Sequence, residues 1–171
     1  MKFLTRSFLP AAICLLTITA FGQTPTAVRN LIVQADAFQD DEKYPEAIAK
    51  YNEALKLDPT NERAEFALAT VLKTMGKTNE ATPLLEKLAA LPTADVKVFN
   101  MLGGIYIEAK DYDKAGAIYL KAANEYPEDQ KAQLNLTNFY LQQKKYAEAE
   151  KSATAAIKID PQDSDSQLAY A

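Results

Sequence analysis

The chain contains no histidine and no tryptophan, one cysteine (Cys14) and five glycines in 171 residues. Without histidine there is no imidazole to act as a general base near neutral pH and no ordinary zinc site. A lone thiol cannot close an intrachain disulfide. The glycines, at 22, 76, 103, 104 and 116, include no GxxxxGK arrangement, which excludes a phosphate-cradling loop of that type. Any catalysis would have to run on carboxylate, lysine, tyrosine or serine. No cofactor and no metal is expected.

A hydrophobic run long enough to span a bilayer is missing as well. The longest candidate, "FLPAAICLLTITA" from Phe8, falls short of the roughly 20 residues a spanning helix requires. It follows Lys2 and Arg6 and precedes the small residues of "AFG". Basic, then apolar, then small is the order of a secretory signal, expected here over residues 1–22 with cleavage after Gly22. Lipid attachment at Cys14 is not expected, because Ile13 stands where that chemistry takes a small residue. Cleavage would leave 149 residues carrying 17 basic and 23 acidic groups and no cysteine. Such a chain relies on packing for its stability. A short signal and the absence of disulfides point to an exported protein, periplasmic or secreted, of a bacterium. Its negative charge disfavours nucleic acid and anionic membranes as partners, and no stable membrane span is expected once the signal is gone.

With 48% hydrophobic residues the remainder can bury an ordinary core. Its organisation is repetitive. Ala47, Ala81, Ala115 and Ala149 recur every 34 residues, as do Tyr44, Thr78, Tyr112 and Tyr146; Pro59, Pro127 and Pro161 keep the same register, with Pro92 displaced by one. Four units cover residues 28–61, 62–95, 96–129 and 130–163. Each reads as two amphipathic helices. In the third, Phe99, Leu102 and Tyr106, then Tyr112, Ala115, Ile118, Tyr119 and Ala122, follow helical spacing on either side of "AKDYD". A proline after each second helix ends it.

The unit resembles the tetratricopeptide repeat, whose 34-residue pattern takes a small residue eighth, an aromatic or leucine eleventh, alanine twentieth, an aromatic near twenty-fourth, alanine twenty-seventh and proline thirty-second. The first copy supplies Ala35, Phe38, Ala47, Tyr51, Ala54 and Pro59. The third supplies Gly103, Tyr106, Ala115, Tyr119, Ala122 and Pro127, and the fourth Thr137, Tyr140, Ala149, Ala153, Ala156 and Pro161. In the second, Ala69, Leu72, Ala81 and Leu85 fit, while Leu88 and Thr93 depart. The resemblance implies an all-α, right-handed α-solenoid of four helix-turn-helix repeats over residues 23–171, closed by a short cap helix at 164–171 around Leu168 and Tyr170. Pro83, inside the second helix of copy two, predicts a late start or a kink there.

The resemblance also implies binding, not turnover: first helices of successive repeats line a concave groove that holds a peptide or protein segment. The usual groove set is the second, fifth, sixth, ninth, twelfth and thirteenth positions of each copy, and the second carries Arg29, Arg63, Lys97 and Lys131. First helices about 8 to 10 Å apart would match such cations to roughly every third residue of an extended acidic segment. The plainer reading pairs them with local acids such as Asp58, Glu62, Asp95 or Asp129. Other groove candidates are Asn100, Asn135 and Asn138, able to bond a ligand backbone, with apolar Ile32, Phe66, Met101 and Leu134. The carboxylate clamp of chaperone-binding relatives is not expected, since Ile32 and Asp36 stand where its lysine and asparagine belong.

The acidic stretches 36–42 and 160–166 lack the spacing and central glycine of a calcium loop and read as turns and caps. An enzyme working through carboxylates such as Glu108 has no second acid placed to assist it. The expected function is therefore a non-enzymatic protein-interaction scaffold of the envelope or secreted space. Its alternative is a structural unit that forms homo-oligomers through an incompletely capped last repeat.

Overall fold

The computed structural model describes residues 24–161; the export signal expected at residues 1–22 and the cap expected at residues 164–171 lie outside the described residues. Eight helices follow one another: α1 (Thr24–Asp40), α2 (Tyr44–Leu57), α3 (Glu62–Thr74), α4 (Thr78–Ala89), α5 (Val96–Glu108), α6 (Tyr112–Glu125), α7 (Gln130–Gln142) and α8 (Tyr146–Ile159). Among the described residues there is no strand. The architecture is all-α, a solenoid of helix-turn-helix repeats.

The 34-residue register sets nearly every boundary. All four second helices begin on it, and all four first helices end on it, at Asp40, Thr74, Glu108 and Gln142. Only α1 is longer than its counterparts, starting at Thr24, one turn before the repeat was expected to begin. The first helices of the later copies open on a capping residue at the last position of the preceding copy. Asn61 Oδ1 accepts from the Ala64 N–H at 3.0 Å, Asp95 from Lys97 at 2.8 Å and Asp129 from Ala132 at 2.7 Å. Each such cap is worth about 1 kcal/mol.

Within each repeat the first helix stops at a left-handed residue: Glu42, Gly76, Lys110 and Lys144 have φ of 59°, 73°, 59° and 57°. Their successors return an N–H to the carbonyl five residues back, Lys43 to Phe38, Lys77 to Leu72, Asp111 to Tyr106 and Lys145 to Tyr140, at 2.8 to 2.9 Å. This closes the helix end and turns the chain into the second helix. Only one of the four positions is glycine.

Pro83 does not delay its helix. α4 starts in register at Thr78 and runs unbroken to Ala89. Proline at the sixth residue forfeits one bond, to the Asn79 carbonyl, and both residues are exposed, so water can satisfy that oxygen. The helix shortens instead at its other end, stopping two residues before its counterparts. Lys121 Nζ donates to the Ala89 carbonyl there at 2.6 Å, and the Tyr126 hydroxyl donates to the Ala94 carbonyl in the following loop.

The described residues fall into two compact units, one through Ala64 and one from Glu65. In the first, Ala35, Ala47, Tyr51 and Ala54 are fully buried. Tyr51 places its hydroxyl 2.6 Å from Asp36 Oδ1 and 3.1 Å from Gln39 Oε1. Burial first, then the Asp36 hydrogen bond, push that phenol well above its ordinary value of 10.

In the second unit the small residues of the repeat admit aromatic rings. A Cβ on Gly103 would lie 2.5 Å from Tyr119 Cε1, and one on Gly116 would lie 2.8 Å from Phe139. Phe99, Leu85 and Leu102 fill the core around them. Buried Glu65 is paired with Lys87, and the Tyr106 hydroxyl donates to Glu86. The looser fourth copy replaces apolar contact by hydroxyls: buried Thr137 Oγ1 lies 2.8 Å from Ser152 Oγ and 2.9 Å from the Gln133 carbonyl. Among the described residues no buried side-chain polar atom lacks a partner.

Candidate functional site

In the second unit, residues of four helices line a cavity of about 490 Å³. α5 contributes Lys97, Asn100, Met101 and Gly104, whose spacing of three, four and seven puts them on one stripe of the helix. α3 adds Phe66 and Lys73, α7 adds Lys131 and Asn135, and α6 adds Tyr119. Six of the nine candidates read from the sequence therefore meet here: Lys97, Lys131, Asn100, Asn135, Phe66 and Met101.

Its chemistry is mixed. Asn135 Nδ2 donates to Asn100 Oδ1 at 2.7 Å, which orients both amides and leaves further donor and acceptor positions on each. Phe66 and Met101 are half-buried beside them. Lys73 is neutralised by Glu108 at 3.2 Å. Burial, with a lesser contribution from the Glu108 charge, raises the Tyr119 phenol above its ordinary value. Lys97 and Lys131 are exposed, and neither makes an ion pair among the described residues. The acids expected to hold them are engaged otherwise: Asp95 and Asp129 accept backbone N–H bonds at the helix starts.

Arg29 and Arg63 lie in the first unit, beside a cavity of about 810 Å³ that also carries the exposed side chains of Val33 and Leu57. Arg63 is paired, with Asp36 at 2.8 Å rather than with Asp58 or Glu62. That partner lies 27 residues earlier, at the ninth position of the first copy. Counting back equally from Lys97 and Lys131 reaches Thr70 and Gly104, neither of which carries charge. The repeat thus places four cations equivalently, and of the three that follow another copy only Arg63 has an acid at the preceding ninth position.

Asn138 is exposed and does not line the second-unit cavity; Leu134 is half-buried and does not either, and Ile32 is buried. Three lining residues escaped the sequence reading. Lys73 and Gly104 occupy the twelfth and ninth positions of their copies, both in the usual groove set, so position alone could have found them. Tyr119 belongs to a second helix and serves packing as well. Among the described residues no helix is long and apolar enough to cross a membrane, and no group of three acidic, histidine or cysteine side chains is placed to hold a metal.

A family model described as "Psidin, N-terminal TPR repeats region" matches residues 36–166. Human protein O-mannosyl-transferase TMTC1 is 31% identical over 123 residues, covering 70% of this chain and 14% of that protein. Hsp70-Hsp90 organizing protein 3 of Arabidopsis thaliana is 30% identical over 106 residues, covering 62% of this chain and 19% of that protein. The chain thus spans less than a fifth of the length of these two curated relatives. A crystal structure of a tetratricopeptide repeat protein from Parabacteroides merdae superposes with a TM-score of 0.77 at 21% identity, covering 85% of this chain and 58% of that one. At that identity the likeness concerns the fold.

Proposed function

The chain belongs to the tetratricopeptide-repeat family, and from that premise we propose that it is an exported interaction scaffold whose second unit holds an extended acidic segment of a partner protein. The fold of this family is typically a non-catalytic scaffold for protein–protein contact. One observation carries the choice of ligand: Lys97 and Lys131 stand exposed and unpaired around the Asn100–Asn135 amide pair. Such cations attract carboxylates, the amides serve a peptide backbone, and Phe66 with Met101 gives the segment apolar contact. The basic, apolar and small residues of positions 1–22 support export.

The test is fluorescence anisotropy of a labelled, capped acidic peptide with the purified chain, repeated with Lys97→Glu combined with Lys131→Glu. The expected result is a loss of roughly tenfold or more in affinity and a weaker salt dependence than wild type. Affinity that neither the charge reversal nor added salt changes would sink this reading. Export is tested by mass spectrometry of the protein made in a bacterial host, where an N-terminus at Gln23 supports it and an intact leader counts against it.

A further inference from the structure

Two neighbouring glycines of α5 stand in opposite circumstances. Gly103 has no alternative, because a Cβ there would strike the Tyr119 ring; at Gly104 an added Cβ meets nothing within 4 Å. Gly104 is the ninth of thirteen residues in the helix, where glycine weakens a helix relative to alanine. Its backbone does not demand glycine either: Gly76 is the positive-φ glycine among the described residues. Neither packing nor conformation within the chain requires the side chain to be missing. What lies in front of Gly104 is the cavity between Lys97 and Lys131, walled on its apolar side by Phe66, Met101 and Tyr119.

We propose that Gly104 is the floor of a subsite that seats one bulky apolar side chain of the bound segment. The inference rests on the binding reading above and narrows its ligand to an extended acidic segment with a single leucine- or phenylalanine-sized residue. Residues two apart in an extended strand share a face. Carboxylates two positions before and after the apolar residue therefore sit on the cavity side with it, toward the unpaired lysines. The missing Cβ makes depth for the apolar residue and also leaves Lys131 without the acid that Asp36 supplies to Arg63 at the corresponding place. One absent side chain thus serves shape and charge together.

The probe is a pair of capped heptapeptides with aspartate two positions on either side of the centre, the central residue being leucine in one and glycine in the other. Wild type is expected to bind the leucine peptide roughly tenfold tighter than the glycine peptide. In Gly104→Leu that preference falls to about one and the melting temperature rises. Gly104→Ala, which adds one methyl to open space, gives an intermediate preference and guards against a misfolded leucine variant. A leucine preference unchanged in both folded variants overturns the subsite but leaves the acidic-segment reading intact. Failure of both peptides to bind, or equal binding after Lys97→Glu with Lys131→Glu, overturns that reading and the subsite with it.

Discussion

Arg63 donates from Nη2 to Asp36 Oδ2 at 2.8 Å, joining the second position of one repeat to the ninth position of the repeat before it. As an exposed pair it contributes at most about 1 kcal/mol to stability. Its larger consequence is electrostatic: a cation occupied within the chain is less available to a ligand, and Lys97 and Lys131 lack that occupation.

Gly104→Asp should restore it. An aspartate there copies the placement of Asp36 relative to Arg63, so it should pair with Lys131. Affinity for an acidic peptide is expected to drop roughly tenfold, through the lost cation and the added negative charge. Anisotropy titration measures the loss, and unchanged affinity would show that Lys131 does not meet the peptide.

Gly103→Ala should destabilise by about 1 to 3 kcal/mol, because its Cβ must displace the Tyr119 ring. Combining it with Tyr119→Leu should recover part of the loss, since the two sites touch and their effects do not add. Denaturant midpoints of the single and double variants check this. Additive losses would mean that the ring is not the obstacle.

Lys110→Gly should stabilise the chain by about 1 kcal/mol, removing the cost of a left-handed backbone at a residue with a Cβ. Gly76→Ala should cost a similar amount. Thermal melts suffice to compare them, and a Lys110→Gly variant no more stable than wild type refutes the assignment of strain.

Alkaline pH should weaken the fold before it would weaken one with exposed phenols. Burial is the main cause that raises Tyr51, Tyr106, Tyr119 and Tyr126 above the ordinary value of 10; Asp36 and Glu86 add hydrogen bonds at the first two, and nearby carboxylates add charge at the others. A phenol raised on folding contributes stability that is fully present below pH 10 and lost as pH rises through its folded value. Stability should therefore decline above about pH 10, with a shallower slope in Tyr51→Phe. Equal slopes in the two proteins would rule out Tyr51 as a contributor.

Much of this was legible beforehand. Ala47, Ala81, Ala115 and Ala149 recur at the position where the repeat takes a small residue in the second helix, and all four are buried. Small residues at that spacing have no other common explanation. The left-handed turns were hidden because Glu42, Lys110 and Lys144 do not advertise positive φ as Gly76 does. The plainer expectation pairs Asp95 and Asp129 with lysine side chains, whereas helix starts claim them through backbone N–H groups two or three residues away. Pro83 does not delay α4, which begins in register at Thr78, since the bond it removes lies at an exposed helix start.

The 34-residue period, the pairing of helices and the identity of the core follow from the order of residues, because each copy must bury the same small and aromatic positions against its neighbours. The fate of the cations does not. Arg29, Arg63, Lys97 and Lys131 are equivalent in the repeat, yet the structure ties Arg63 to Asp36 and gathers Lys97 and Lys131 around one cavity. Ion pairing and cavity shape depend on side chains that meet across helices some 27 to 35 residues apart, and folding brings them within a few ångströms.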